Sequence, residues 1–345
     1  MKFEWIDFYS EFATKLLLFK NDRKALIERI KDVYTAINMQ VPKLESGSDI
    51  IDIDPFTIFG LFNKGITNSN RIAIIRSIAN VFGIEAKVPN NFDGIPVLNN
   101  LKATFYAFKE DRKADDIDNI WNVFEAALRL ADNDTEQIRK EFSKWYDLVH
   151  DQRCIRWNIT MGLYWVRPYT YINLDSRNRW YISNVENMPA EFVDSIKKKI
   201  NKVPNATDYL FIKDACIKAL EVGSYEYQNY PELSYSAWIV SEQVNRQKAA
   251  ANGKKLSNAA FLRWFKPLIQ ALRDLGGSGT PAEARAKIVE NEQLSDEEVN
   301  ATRGKNNVKK FENEVAFARS YLVNAGYIDK NIYGVWTLTE AGKCV

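Results

Sequence analysis

Phe311-Glu312-Asn313-Glu314-Val315-Ala316-Phe317-Ala318-Arg319-Ser320-Tyr321-Leu322 repeats apolar residues every three or four positions, and Ala325-Gly326 stops the run. That spacing predicts an amphipathic helix closed by glycine. Just downstream, Tyr327-Ile328, a turn at Asp329-Lys330-Asn331, and Gly334-Val335-Trp336-Thr337-Leu338-Thr339 predict a small hairpin. Upstream, Phe261 to Leu275 reads as a helix ended by Gly276-Gly277. Thr280-Pro281-Ala282-Glu283 is a capping box that starts a second helix over 281–291, and Ser295-Asp296-Glu297-Glu298 opens a short third one. Helices followed by a two-stranded wing predict a winged helix over 256–345, a fold that docks one helix in the major groove.

Working back from there, Asn252-Gly253-Lys254-Lys255 reads as a linker, preceded by a helix over 236–251. Residues 155–182 are rich in β-favouring types: Ile155-Arg156-Trp157-Asn158-Ile159, Leu163-Tyr164-Trp165-Val166, Tyr169, Tyr171, Ile172 and Trp180-Tyr181-Ile182. They predict several short strands, followed by helices at 189–201 and 208–222. Residues 1–150 read as helical, from the first 40 residues through segments at 68–82, 98–109, 116–131 and 134–149. The expected class is α+β: a mainly helical N-terminal domain (1–150), an aromatic-rich α/β middle domain (151–252) and a C-terminal winged helix (256–345).

Composition narrows the function. The chain has 345 residues, 46% hydrophobic and 27% charged, which excludes disorder and collagen-like structure. No run of about 18 apolar residues exists, and acids interrupt the N-terminus where a signal peptide needs an apolar core, so a cytoplasmic location without membrane contact is expected. Cys154, Cys216 and Cys344 form no C-x-x-C, and His150 is the lone histidine, so no metal site or cofactor is expected. His150 itself reads as a buried or interface residue. The phosphate loop of NTPases is absent, because Ile66 follows the Gly60–Gly65 spacing where lysine is required. Residues 1–150 carry 20 basic and 23 acidic side chains, 151–245 carry 11 of each, and 246–345 carry 16 and 11. The positive excess thus lies in the last third, facing nucleic acid in this reading.

Two groups of residues have chemistry suited to DNA. Arg303, Lys305, Asn306, Lys309, Lys310 and Arg319 lie before or along the long helix, with Lys330 and Tyr333 at the wing tip; cations hold phosphates and asparagine reads adenine edges. In the middle region Trp165, Tyr169, Tyr171 and Trp180 lie among Arg167, Arg177 and Arg179, where aromatic faces and guanidiniums stack on bases. The alternative is a half-buried sheet with aromatic core residues. A metal-dependent nuclease remains open too: Glu85-Ala86-Lys87 has the acid-x-lysine order, with Asp54 or Asp52 as the upstream acid.

Three blocks, Leu268 to Ser278, Phe311 to Leu322 and Gly334 to Gly342, closely resemble the N-terminal winged-helix domain of Mrr restriction proteins. The first two thirds resemble the N-terminal regions of McrB-like restriction subunits. Phe62-Asn63-Lys64-Gly65-Ile66-Thr67, Phe92 to Asn100, Tyr164-Trp165-Val166-Arg167-Pro168 and Asn173-Leu174-Asp175-Ser176-Arg177-Asn178-Arg179 carry that likeness. The resemblance implies binding of double-stranded DNA in a modification-dependent restriction system. It also implies an AAA-type GTPase motor and a McrC-like or Mrr-like nuclease as partners. Motor and nuclease motifs are missing here, which leaves a specificity segment of a longer protein or a chain served by separate subunits.

The expectation is therefore a DNA-recognition module without catalysis of its own. Its alternatives are the nuclease using Asp54, Glu85 and Lys87, and an adaptor whose winged helix docks protein.

Overall fold

The computed structural model describes residues 3–47, 49–100, 103–223, 225, 227–251, 260–303, 308–329 and 334–345. They divide into two compact units, Met1–Val244 and Asn245–Val345. The expected linker at Asn252 to Lys255 lies outside the described residues.

The first unit is built of helices: α1 (Trp5–Leu17), α2 (Arg23–Thr35), α3 (Pro55–Gly60), α4 (Asn68–Phe82), α5 (Asp116–Asp132), α6 (Glu136–His150), α7 (Asn158–Val166), α8 (Ser176–Ile182), α9 (Ala190–Ile196), α10 (Ala206–Val222) and α11 (Tyr230–Ala251). Side-chain caps start many of them. Asp22 accepts from Ala25 N, Thr67 from Asn70 N, Thr135 from Ile138 N and Asn205 from Asp208 N. Each satisfies an amide that the helix itself leaves unpaired. Gly83 closes α4 in the left-handed region at φ +65°, which glycine adopts without penalty.

Residues 155–182 correct the α/β expectation. They form α7 and α8, and no strand is found among the described residues of 151–251. Every residue from Ile159 to Val166 is buried. A helix that is apolar all round is a core helix, and a short apolar run by itself does not tell strand from helix. Gly162 permits the central position of α7: a Cβ there would lie 2.7 Å from the Phe56 ring of α3. Asn173 to Ser176, expected as a turn between strands, is instead the start of α8, with Asp175 accepting from Asn178 N.

Position 150 does not divide the core either. One continuous set of buried residues runs from Phe3 to Ala237, because α7 inserts its aromatic side chains among those of α1 and α3. Arg167 binds this junction, donating from Nη1 to Ser10 O (3.1 Å) and from Nη2 to Thr14 Oγ1 (3.2 Å). The helix expected at 98–109 is absent from the described residues there. Thr57 Oγ1 takes the amide of Phe105 (2.9 Å) and Glu45 that of Lys109 (3.1 Å), which lays the segment over α3 as irregular chain.

The second unit has α12 (Phe265–Asp274), α13 (Pro281–Asn291), α14 (Asp296–Asn300), α15 (Lys310–Asn324) and α16 (Glu340–Cys344). Its strands are two residues each: β1 (Ser278–Gly279), β2 (Thr302–Arg303), β3 (Val308–Lys309) and β4 (Trp336–Thr337). β1 pairs antiparallel with β4, β2 with β3, and Ile328 bridges Leu338. Both capping boxes are present, Thr280 with Glu283 and Ser295 with Glu298. Leu268, Leu272, Ile288, Val315 and Leu322 share a separate core with Trp336 and Leu338. The whole chain is α-rich.

Candidate nucleic-acid interface

Polar and aromatic side chains of the first unit converge around a cavity of about 520 Å³. Five pieces of chain wall it: Arg71 of α4, the loop Phe92 to Val97, Trp157 to Met161 at the start of α7, Asp175 to Arg179 at the start of α8, and Ser234 and Trp238 of α11.

Hydrogen bonds fix these walls. Asn178 Nδ2 donates to Asp175 Oδ1 (3.1 Å) and to Ser234 Oγ (3.2 Å), and Ser234 Oγ donates to Gly94 O (3.0 Å). Three elements are thereby held to one geometry. Gly94 has φ +77°, and a Cβ there would stand 3.0 Å from Tyr235 Cα, so both backbone conformation and space require glycine. Trp165 supports the loop from below, donating Nε1–H to Pro96 O (3.1 Å).

The cations are placed by packing. The Arg179 guanidinium lies 3.7 Å from the centroid of the Trp157 ring, and that of Arg71 lies 5.0 Å from Phe92. Arg71 also donates to Phe62 O (2.8 Å), Arg179 to Leu174 O (2.9 Å), and Arg177 pairs with Glu242 (2.6 Å). Burial lowers the pKa of Arg71 and Arg179, yet guanidiniums remain charged in proteins. The cavity therefore brings together two tryptophan rings, one of them under the Arg179 guanidinium, fixed positive charge and the Asp175 carboxylate.

The expected stacking residues are distributed unequally. Arg177 and Arg179 line the cavity. Trp165 and Tyr171 are corrected to core residues, because both are fully buried and have no face open to a base. Tyr171 donates to Ala127 O (2.8 Å) and stacks on Phe142. Tyr169 (58% exposed) and Trp180 (37%) are on the surface but outside the cavity lining. Arg167 is the α1–α7 tie already described. Trp157, Trp238, Phe92 and Arg71 were missed, since their only signal is tertiary proximity.

In the second unit, α15 presents Lys310, Asn313, Ala316, Phe317, Ser320 and Tyr321 on its exposed face. Lys309 is exposed beside it and pairs with Glu312 at 3.4 Å. Arg319 lies on another flank, half-buried, with Nε lacking a partner, so it is separated from the lysines. Arg303 is placed on β2 by its backbone alone. Lys305, Asn306, Lys330 and Tyr333 lie outside the described residues. Asn313 was missed, although its spacing from Lys309 and Lys310 marks the same helical face.

Asp54 is fully buried, with Oδ1 accepting from Thr57 N and Oδ2 from Thr57 Oγ1. Lys87 is exposed and paired with Glu4 at 3.0 Å. Among the described residues, no three His, Cys, Asp or Glu side chains converge to hold a metal ion. His150 bonds Asp151 Oδ1 (2.7 Å) and Val203 O (3.0 Å). No described helix is long and apolar enough to cross a membrane.

Residues 5–240 match the family described as Domain of unknown function (DUF8425), and the chain belongs to that family. Residues 261–345 match the Mrr N-terminal domain. Comparison with the curated proteins and with the solved structures returned no match.

Proposed function

We propose that this chain is a DNA-recognition module of a restriction system, in which the cavity of the first unit receives an extruded base. The match of residues 261–345 to the Mrr N-terminal domain supports the restriction role. The observation that carries the base-reading role is the cavity itself, with Arg179 stacked on Trp157 and Trp238 on its lining. Its volume falls within the roughly 300–1,000 Å³ of small-ligand pockets. Enzymes and readers that extrude a base hold it between aromatic faces and bond its edge. Asp175 is the acceptor for an exocyclic amino group and the arginines are the donors. In this reading, the second unit is a winged helix that lays α15 along duplex DNA, and a GTPase motor and nuclease on other polypeptides or segments complete the system.

Fluorescence anisotropy on matched duplexes, plain and carrying methylated or hydroxymethylated cytosine, tests both parts. Tighter binding to one modified duplex is expected. Trp157→Ala is expected to erase that preference, a loss of about 5-fold to 150-fold given roughly 1–3 kcal/mol per stacked base. Unchanged preference in Trp157→Ala overturns the base-reading role. Lys309→Ala with Lys310→Ala is expected to weaken all duplexes alike and to flatten the salt dependence by about one unit per lost phosphate contact.

A second reading, a protein-docking adaptor, is favoured by Phe317 (51% exposed) and Tyr321 (52%), which join Phe261 in an aromatic cluster on the face of α15. It expects no salt-sensitive DNA binding.

A further inference from the structure

A second cavity of about 530 Å³ lies in the first unit, lined among others by Tyr181, Tyr225, Tyr227 and Tyr235 with Glu186 and Glu232. It has the opposite electrostatic character to the first. Among its described lining residues there is no lysine or arginine, and both charged groups are carboxylates. The Tyr225 and Tyr227 rings stack at 5.1 Å with 19° between planes, and Tyr181 meets Tyr227 edge-on at 6.1 Å. Hydroxyl bonds hold the array: Tyr181 OH donates to Tyr227 OH (3.1 Å), which donates to Asn187 O (3.2 Å). Ile239 and Val240 supply an apolar wall. Gly223 makes room for Tyr225, since a Cβ at Gly223 would stand 2.0 Å from that ring.

We propose that this groove binds an arginine side chain on a basic segment of a partner polypeptide. Tyrosine faces attract cations through the ring quadrupole, and a planar guanidinium stacks where a compact ammonium does not. The apolar wall takes the methylene stem while Glu186 and Glu232 neutralise the head. The two carboxylates repel a polyanion and attract a cation, so the partner of this groove differs from that of the first cavity.

Calorimetric titration of the full chain with an acetylated, amidated Gly-Arg-Gly-Arg-Gly peptide tests the proposal. The citrulline version, isosteric and neutral, is expected not to bind. Tyr225→Ala is expected to weaken the arginine peptide roughly threefold to thirtyfold, the range from exposed to desolvated cation–π contacts, Glu232→Gln is expected to weaken it through the lost charge, and Tyr225→Phe retains it. Gly223→Ala, which displaces the Tyr225 ring without removing it, is expected to act like Tyr225→Ala and guards against a folding defect. Equal binding of the citrulline peptide overturns the cationic site. So does an affinity that Tyr225→Ala and Gly223→Ala both leave unchanged in folded protein. Free arginine amide binding as tightly as the peptide overturns the polypeptide partner. None of these results depends on DNA binding by the first cavity.

Discussion

Trp165→Ala is expected to lower the unfolding free energy of the Met1–Val244 unit by about 3–5 kcal/mol, the range for truncating a buried tryptophan. The ring is fully buried, stacks toward Phe59 at 6.5 Å and meets Phe105 edge-on at 6.1 Å. Alanine leaves a void that these rings fill only in part, and it strands the Pro96 carbonyl that Nε1 now satisfies at 3.1 Å. Trp165→Phe keeps most of the packing and removes only the donor, so a loss of about 1–3 kcal/mol is expected from the unpaired carbonyl. Because Pro96 belongs to the cavity wall, both variants are also expected to loosen base discrimination. Urea unfolding followed by circular dichroism measures the stability. A change below about 0.5 kcal/mol, ordinary for a surface residue, would return Trp165 to the role of an exposed stacking side chain.

The second large effect is one of pH. Burial pushes the Asp54 carboxyl up from 3.8 to about 6, opposed by its bonds to Thr57. The folded protein then holds this proton more tightly than the unfolded chain. The group's contribution to stability is therefore fully present below pH 3.8 and is lost as pH rises through about 6. A shift of about two units corresponds to about 3 kcal/mol. Asp54→Asn keeps a capping acceptor for Thr57 N but does not titrate. The stability difference, wild type minus variant, is expected to fall by up to about 3 kcal/mol between pH 4 and pH 7. Asp52, raised in the same direction by burial, stays in both proteins and cancels. Parallel denaturation midpoints at pH 4, 5, 6 and 7 give the result, and a constant difference would show that Asp54 is ionised throughout.

Neither effect is visible in the local sequence. Asp54 caps α3, but nothing in the Asp54-Pro55 dipeptide says that the cap is buried under Phe105 and Tyr106. The acid-x-lysine reading of Asp54, Glu85 and Lys87 took no account of that burial. Trp165 has strand-favouring neighbours, and only its insertion among Phe59, Phe105 and Pro96 makes it part of a core helix.

Legible features share one property: their causes are local. The capping boxes at Thr280 and Ser295 bond groups three residues apart. The apolar stripe of Phe311, Val315, Ala318 and Leu322 repeats with the helical turn, and α15 follows it. Composition and spacing likewise single out Lys309 and Lys310, which are exposed, and the arginines after Asp175, which line the cavity. The fold of 155–182 and the make-up of the cavity were not, because a short apolar run satisfies strand and helix alike and burial chooses between them. Arg71, Phe92, Trp157 and Trp238 are 167 positions apart from first to last. Sequence by itself determined the helix starts whose caps are local, as at Thr280 and Ser295; only the packed core decided that 155–182 is helical and which side chains face one another around a site, since both depend on long-range burial that no local pattern encodes.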